Sequence, residues 1–416
     1  MAGFLRSWAG ALTVLALLVV TLNLLVDPYD VFGTPRLDHI SALKPGAKNH
    51  ALLAKTYQVA RARPVTVLIG SSSTHIGIDA AVSAWPASMQ PVYNYGIPGG
   101  VTASTGLSTL REALGEGRVE YAVVLLDFQS FFAPEQSGGA LSEDQRRFHL
   151  LDDAAPNPHR RLQVASDMFL SVATMGALID SVKTIVGQTD PGLLDLAPNG
   201  SSTEADFVGA AAADGMHDLF AQKDDFEVAR ANGLQLVMAG WRGGLPNLDV
   251  IRKIIALAHQ HGVKLTLVIT PHHADALEVY WRVGLWPRVE QLKAELAGIT
   301  AEGGDEVALW DFMDYSAFTT ETVPAAGDRR TQTQWFWEPT HFKKRLGAIV
   351  IGNMFGQGAP PFGFKLTPAT VAARNSAVRA QRGAVVCVAG VRLLTSVTVP
   401  VPDDCAAGSG RADEGG

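Results

Sequence analysis

The chain has 416 residues, of which 47% are hydrophobic and 18% are charged. This composition is typical of a globular protein and excludes a largely disordered one. The formal net charge is −7, and no basic stripe or stacking-aromatic motif offsets it, so the sequence argues against nucleic acid as a partner. A chain of this length accommodates one large domain or two ordinary ones.

The first 27 residues differ in kind from the rest. An uncharged run extends from Trp8 to Val26, after Arg6 and before Asp27. It has about 19 residues, close to the roughly 20 that cross a bilayer as a helix. No small-residue cleavage motif follows it. We therefore predict an uncleaved signal anchor with its N-terminus in the cytoplasm and the body of the protein outside the membrane. The alternative is a buried N-terminal helix.

Short apolar runs alternate with helical patterns in the rest of the chain. After a connector with one helix (28–63), strands are predicted at 64–70, 91–97, 121–128, 263–270 and 306–312. Apolar residues at helical spacing separate the last three runs. This alternation predicts a mostly parallel sheet with helices on both faces, a three-layer α/β/α domain over residues 64–356.

Two segments depart from this alternation. Residues 133–246 contain weak helical patterns and polar loops, and we interpret them as an insertion that caps or shapes a site. The tail, 357–416, is rich in Gly, Pro and Ala and is predicted to be partly disordered, with one helical stretch at 368–382. Cys387 and Cys405 lie far from any histidine cluster, so no zinc site is predicted. They either pair in an oxidising compartment or remain free.

Polar and glycine-rich segments follow two of the predicted strands. The segment "IGSSST" (69–74) ends the first strand, and "YNYGIPGG" (93–100) contains the second strand's end. Ligands bind at the carboxyl ends of strands in open α/β sheets, although a serine-rich turn that only caps a helix has the same composition. The glycines of the second segment predict a sharp turn with backbone N–H groups available to a ligand.

A third segment, "EPTHF" (338–342), places a carboxylate and an imidazole three residues apart. At this spacing Glu338 can orient the ring of His341 and stabilise its protonated form. A serine, a glycine N–H and an oriented histidine are the nucleophile, oxyanion donor and general base of acyl transfer.

These segments, in this order, resemble the four blocks of the SGNH (GDSL-like) hydrolase superfamily, which has a flavodoxin-like α/β/α fold. The resemblance implies that Ser72 is the nucleophile, His341 the base, Glu338 the triad acid and the N–H of Gly96 an oxyanion donor. The third block matches poorly at "LLDFQS" (125–130), where Asp127 replaces a glycine and Gln129 stands at the position of an oxyanion-binding asparagine. Glu338 stands where the family has aspartate, and Ser71 where it usually has aspartate.

Several other residues keep two interpretations each. Ser71 is the alternative nucleophile, and Asp311 and Asp314 are the alternative triad acids. Substrate contacts are predicted for His75, His273 and Trp337. The alternative for His75 is a surface loop histidine without a functional role, and the alternative for Trp337 is packing. The adjacent His272 and His273 either line the cleft or lie outside it, and no metal site is predicted from them.

The resemblance, closest to membrane-anchored bacterial members of the superfamily, implies an inner-membrane protein with its catalytic domain in the periplasm. The expected activity is that of a serine esterase or O-acyltransferase, without a cofactor, on small acyl esters such as acetyl groups of envelope glycans. Polysaccharide-export or acetylation proteins are the implied protein partners. Two alternatives stay open: a non-catalytic envelope-assembly or glycan-binding protein, and a lipase or thioesterase at the membrane surface.

Overall fold

The computed structural model describes residues 1–99, 103–115, 117–134, 145–150, 155–190 and 192–388. The helices of the N-terminal half are α1 (Ala2–Val26), α2 (Pro45–Asn49), α3 (Ala51–Ala62), α4 (Ser72–Gly77), α5 (Ala103–Gly115), α6 (Arg160–Ala173) and α7 (Met175–Gly187). Those that follow are α8 (Ala205–Asp214), α9 (Met216–Gly240), α10 (Leu248–Gln260), α11 (Ala274–Arg282), α12 (Trp286–Glu302), α13 (Lys344–Phe355) and α14 (Val371–Arg382). The strands are β1 (Thr66–Ile69), β2 (Val92–Asn94), β3 (Tyr121–Leu126), β4 (Lys264–Ile269), β5 (Val307–Asp311), β6 (Phe336–Glu338), β7 (His341–Phe342) and β8 (Phe364–Leu366).

The protein is an α/β protein built on a mostly parallel six-stranded sheet, as predicted. The strand order is β2-β1-β3-β4-β5-β8. The first five strands are parallel, and β8 pairs antiparallel with the edge of β5. Each of the five predicted runs contains one of these strands. Because the order reverses at β1, a crevice opens between the carboxyl ends of β1 and β3, where such sheets bind ligands.

Both faces of the sheet are covered by helices. Successive residues of a strand point to opposite faces, and Val67 and Leu68 of β1 accordingly belong to two different hydrophobic cores. The first core is closed by α5, α10, α11 and α12, and the second by α4 and α13. Burial of each such side chain stabilises the fold by about 1.5–3 kcal/mol. These two layers hold the strand ends, and the loops that follow them, in fixed positions.

The N-terminal segments are joined closely to this body. Helix α1 is long and apolar enough to cross a membrane, the only single helix among the described residues that is. The connector folds against the sheet, since Val59 of α3 is part of the first core. Between α1 and α3, the buried ammonium of Lys44 lies 3.4 Å from Asp27 and 3.6 Å from Asp30.

The insertion and the tail contribute to the body as well. Helices α6 and α7 of the insertion pack against α1, and α9 packs against α11 and β6. From the predicted tail, β8 extends the sheet and α14 packs against α12, so the folded unit continues well past residue 356. The tail boundary was predicted too early because β8 is a three-residue strand with no periodicity to detect. Cys405 lies outside the described residues, so its pairing with Cys387 stays a prediction.

Candidate active site

Ser72 lies just after the carboxyl end of β1 and is the first residue of α4. The turn between them depends on Gly70, where a Cβ would lie 2.1 Å from Oγ1 of Thr74 and 2.9 Å from the carbonyl oxygen of Leu125. Only glycine permits this close approach of the turn to β3. Ser71 is the N-cap residue of α4. As the first residue of α4, Ser72 has a backbone N–H without a partner inside the helix.

His341 and Glu338 face each other across a small β-hairpin. Strands β6 and β7 are antiparallel, and Glu338 pairs directly with His341 across the turn formed by Pro339 and Thr340. The Glu338 carboxylate is hydrogen-bonded to Nδ1 of His341 and also accepts a hydrogen bond from the Thr340 N–H at 3.2 Å. The hairpin thus fixes the distance between acid and base through backbone pairing.

The Glu338 carboxylate is buried, and its pKa is nevertheless lowered. Burial alone would raise the pKa, but the charge of His341, its hydrogen bond and the charge of Lys223 outweigh that effect. The side chain is therefore ionised at neutral pH. An ionised carboxylate on Nδ1 fixes the tautomer of His341 that leaves Nε2 free to accept a proton.

The hairpin brings His341 to Ser72. Nε2 of His341 lies 2.7 Å from Oγ of Ser72, which completes a Ser72–His341–Glu338 relay. A hydrogen bond of 3.2 Å from Ser73 Oγ to the Thr340 carbonyl joins the two loops. Behind them α13 packs so closely on α4 that a Cβ at Gly347 would lie 1.9 Å from the carbonyl oxygen of Gly77.

The alternative triad acids lie elsewhere. Asp311 is fully buried and bonded to Lys293 at 2.8 Å and to Arg374 at 3.1 Å. Asp314 pairs with the same arginine at 3.0 Å. Neither carboxylate contacts His341, and both pair with buried cations of α12 and α14. Glu338 is the acid that the geometry brings to the histidine.

The oxyanion-hole prediction needs correction at Gly96. Its N–H donates to Oδ1 of Asn94 at 2.9 Å, so it is not available to a substrate. Gly99, three residues later, lines the cavity beside Ser72. It adopts a positive φ of 96°, a conformation that glycine takes most easily. The spacing Asn-x-Gly-x-x-Gly contains both glycines and does not show which of the two lines the cavity.

Gln129 lies in the cavity wall, but its amide is already engaged. Nε2 donates to the carboxylate of Glu227 at 2.7 Å and is in contact with the hydroxyl of Tyr280. Both amide hydrogens therefore have protein partners. In this arrangement Gln129 does not supply the second oxyanion donor that its sequence position suggested, because a long amide side chain reaches across to α9 instead.

His75 does not contact the cavity. Its ring is fully buried beneath Ser72, and Nδ1 lies 2.9 Å from the ammonium of Lys55. That ammonium also donates to the carbonyls of Asn94 at 2.8 Å and Gly96 at 2.6 Å. Burial, followed by the charge of Lys55, holds the pKa of His75 well below its usual value. The predicted substrate contact is thus replaced by a buried tie between α4 and the Gly96 loop.

The other two predicted substrate contacts are also structural. His273 is buried, with Nε2 2.9 Å from the Glu321 carbonyl and Nδ1 3.2 Å from Asp275. Trp337 stacks on Phe207 and donates its indole N–H to Glu204 at 2.7 Å. Neither side chain lines the cavity, whereas His272 does. Neighbouring residues of a loop point in different directions, and the sequence does not show which of the two faces the cleft.

A cavity of about 320 Å³ opens above the relay. One wall comes from the insertion, through four residues of α9 at helical spacing: Lys223, Phe226, Glu227 and Arg230. The insertion therefore does shape the site. These residues were not singled out from the sequence, although their i, i+3, i+4, i+7 spacing places them on one helix face. Because most of them are charged, the cavity suits a polar ligand.

A buried carboxyl group lies behind the relay. Asp224 is inaccessible to solvent, and burial, followed by the charges of Asp275 and Glu338, raises its pKa to about 9. It is therefore protonated at neutral pH and adds no second negative charge beside Glu338. Among the described residues no group of three or more His, Cys, Asp or Glu side chains is arranged to hold a metal ion.

Comparisons of the chain with protein-family models, with curated proteins and with solved structures find no match in any of the three. The functional argument rests on the geometry of the site.

Proposed function

We propose that the protein is a serine-dependent acyl-ester hydrolase or O-acyltransferase of the SGNH type. The observation that carries this proposal is the hydrogen-bonded relay from Glu338 through His341 to Ser72, with 2.7 Å between Nε2 and Oγ. A general base within about 2.6–3.2 Å of the hydroxyl it deprotonates, and oriented by a third group, is the arrangement of an activated nucleophile.

In the proposed reaction, Oγ of Ser72 attacks the ester carbonyl carbon while Nε2 of His341 takes the hydroxyl proton. The Glu338 carboxylate stabilises the imidazolium through Nδ1. The imidazolium then protonates the leaving alcohol, which departs and leaves an acyl group on Ser72. Water or a sugar hydroxyl next attacks the acyl carbon, with His341 again as base, and the serine is regenerated. Water as acceptor gives hydrolysis, and a sugar hydroxyl gives transfer.

The tetrahedral intermediate needs donors for its negative oxygen. We assign this role to the N–H groups of Ser72, at the start of α4, and of Gly99 on the cavity wall. Loss of one donor from such a site costs about 100- to 1,000-fold in turnover.

The superfamily assignment is supported by the sheet. The order β2-β1-β3-β4-β5 is that of flavodoxin-like sheets, and the relay lies at the point where this order reverses. The first three sequence blocks lie at the carboxyl ends of β1, β2 and β3, and the fourth forms the β6–β7 hairpin, in chain order. Fold analogy alone does not establish chemistry, so the relay remains the principal argument.

We propose the substrate class from the side of the membrane that the cavity would face and from the polarity of its lining. If α1 spans the inner membrane with its N-terminus in the cytoplasm, the cavity faces the periplasm, where acylated envelope glycans occur. Charged residues from α9 and from the loop after β3 line the cavity, including Lys223, Arg230 and Asp127. Such a lining disfavours a long acyl chain and favours a small acyl group, such as acetate, on a polar carrier.

Active-site labelling with a fluorophosphonate tests the chemistry. The full-length protein, in detergent, is treated with the probe beside Ser72→Ala and His341→Ala. We expect labelling of the wild type, none of Ser72→Ala, and labelling at least about 100-fold slower for His341→Ala, since the base is lost. Ser71→Ala is the matched control, because its hydroxyl neighbours Ser72 but has no bond to His341.

Absence of labelling in a folded wild type would contradict the proposal and favour a non-catalytic binding protein. Labelling that survives in Ser72→Ala and disappears in Ser71→Ala would move the nucleophile by one residue. Circular dichroism of each variant establishes that the loss reflects chemistry and not unfolding.

A further inference from the structure

Helices α6 and α7 form a bent pair with an unusually apolar surface. We call this bent pair the α6–α7 hairpin. The two helices meet at Thr174 with a bend of 58°. Between Asp167 and Asp180 there is no charged residue. Large side chains near the bend are turned to the outside, with Phe169 64% and Met175 69% exposed. We define residues 168–179 as the hairpin tip. A soluble surface rarely presents such residues together without an interaction partner.

The tip lies beside the last turns of α1. Asn23 is buried there, and its amide donates to the Val172 carbonyl at 2.8 Å while its Oδ1 accepts from Ser181 at 2.8 Å. Residues 2–18 of α1 are exposed throughout, and burial along the helix begins only at residue 19. The hairpin therefore covers the final third of α1 and no more.

The length of α1 sets the depth at which this contact occurs. At 1.5 Å per residue, the distance from Arg6 to Val26 is about 30 Å, which equals the thickness of the hydrocarbon core. Residues 2–18 alone, about 26 Å long, are too short to cross it. If α1 spans a bilayer, residues 19–26 must lie within the membrane, and so must part of whatever packs against them.

The polar groups of the hairpin are arranged as this depth requires. At the bend, Oγ1 of Thr174 accepts from the Ala177 N–H at 3.1 Å and donates to the Leu170 carbonyl at 2.8 Å. Backbone groups in hydrocarbon need such internal partners. Asn23, the one amide side chain of the span, has its partners on the hairpin, which is how intramembrane polar side chains are satisfied.

The charged residues that flank the tip are held by the body of the protein. Asp167 accepts from Arg147 at 2.7 Å and from the Tyr57 hydroxyl at 2.9 Å. Asp180 accepts from the hydroxyl of Tyr29, which lies beyond the end of α1, at 2.8 Å. Charges thus stay at the body, and apolar side chains occupy the bend.

We infer that the hairpin tip inserts into the lipid leaflet through which α1 leaves the membrane, as a second membrane attachment beside the anchor. The occupant of its apolar surface is lipid hydrocarbon. This inference requires α1 to be a span and does not depend on the proposed chemistry.

Fluorescence quenching in proteoliposomes tests the inference. In the full-length protein with Cys387→Ser and Cys405→Ser, single cysteines are placed by Phe169→Cys and Met175→Cys at the tip and labelled with the fluorophore NBD. Leu15→Cys marks the span. Leu236→Cys is the matched control, an apolar residue of α9 that is 73% exposed and outside the hairpin. The vesicles contain phosphatidylcholine and phosphatidylglycerol, with or without doxyl-labelled acyl chains.

We expect the tip labels and the Leu15 label to emit at shorter wavelength, to be quenched severalfold by doxyl chains and to resist aqueous dithionite. The Leu236 label should be reduced by dithionite and unaffected by doxyl chains. Tip labels in water while the Leu15 label lies in lipid would overturn the inference. Tip labels shielded from both quenchers would overturn it too, since a second protein copy would then cover the surface. A Leu15 label in water would also overturn the inference, because α1 would then not be a span.

Discussion

Glu338 combines a positioning role with a buried negative charge, and the two can be separated by one substitution. Glu338→Gln keeps the size of the side chain but removes the charge that stabilises the imidazolium. By analogy with the loss of the acid in other triads, we expect turnover or fluorophosphonate labelling to fall by about 1,000- to 10,000-fold. The control is Asp314→Asn, which changes a buried carboxylate that does not contact His341.

The same substitution has a signature in stability. The folded-state pKa of Glu338 is lower than its ordinary value of 4.5. Its ionisation therefore stabilises the fold above the unfolded-state pKa, and that contribution is lost as the pH falls through the folded-state pKa. The thermal unfolding temperature of the wild type should therefore fall more steeply below about pH 4.5 than that of Glu338→Gln. Parallel pH profiles for the two proteins would show that the carboxylate is not held ionised by His341.

The parts of the site that depend on residues close together in sequence could be predicted from the sequence. Ser72, Glu338 and His341 were found because each lies in a short segment next to a strand, where neighbouring positions determine geometry. Gly96 and Gln129 were misjudged because their hydrogen atoms are taken by Asn94 and Glu227, partners that strand positions do not show. The substrate contacts predicted for His273 and Trp337 are wrong for a related reason. The sequence does not show which way a side chain points, so it did not show that His272, and not His273, faces the cavity.

At the scale of elements, the contact between α4 and α13 helps to determine how Ser72 meets His341. Gly347→Ala places a methyl group 1.9 Å from the Gly77 carbonyl oxygen, so α13 must move away. Overpacking of this kind costs about 1–3 kcal/mol in the free energy of unfolding. Because α13 begins just after β7, we also expect slower fluorophosphonate labelling of Ser72.

Gly298→Ala on α12 is the matched control, since its added methyl group has no heavy atom within 4 Å. It should raise the free energy of unfolding by about 0.5–1 kcal/mol and leave the labelling rate unchanged. Urea unfolding and the labelling rate are measured for both variants. A Gly347→Ala protein that is less stable but labels at the wild-type rate would show that the α4–α13 contact does not set the catalytic distance.

The five parallel strands of the sheet were predictable because they are mostly buried on both faces and read as continuous apolar runs. The antiparallel edge strand β8 was not, since it has three residues and is largely exposed. Helix α10 was predictable from its amphipathic spacing. Helix α9 was not, since its contacts are divided among α11, α8 and the cavity and leave no single apolar stripe. The β6–β7 hairpin has strands of three and two residues, too short for any period to be recognised.

At the scale of the whole molecule, the junction between α1 and the body is a buried charge cluster. Lys44 lies between Asp27 and Asp30. Burial alone would raise the pKa of Asp30, but the charge of Lys44 and neighbouring groups outweigh burial, and the pKa is lowered. Lys44→Met removes this cation from two buried carboxylates. We expect a loss of about 3–5 kcal/mol in the free energy of unfolding at neutral pH.

This loss should shrink as the pH falls, because protonation of Asp30 removes the charge that Lys44 neutralises. The control is Lys253→Met, an exposed lysine paired with Asp249 at 3.5 Å, which should change stability by about 0.5 kcal/mol or less. Denaturant unfolding of the full-length protein in detergent, at neutral and at acidic pH, measures both. Equal effects of the two substitutions would contradict the structural role of the junction.

The junction also limits the space that the cavity can reach. The side chain of Asp27, the residue next to α1, accepts hydrogen bonds from four backbone N–H groups of residues 31–34, so there is no flexible linker. A catalytic domain on a long tether explores a hemisphere above its attachment point, with a reach that grows as the square root of tether length. With α1 in a bilayer, this domain keeps one height and one orientation and explores only a plane. Under the proposed function, its substrates must then come to that height by themselves, and the rate of encounter depends on lateral diffusion in the membrane.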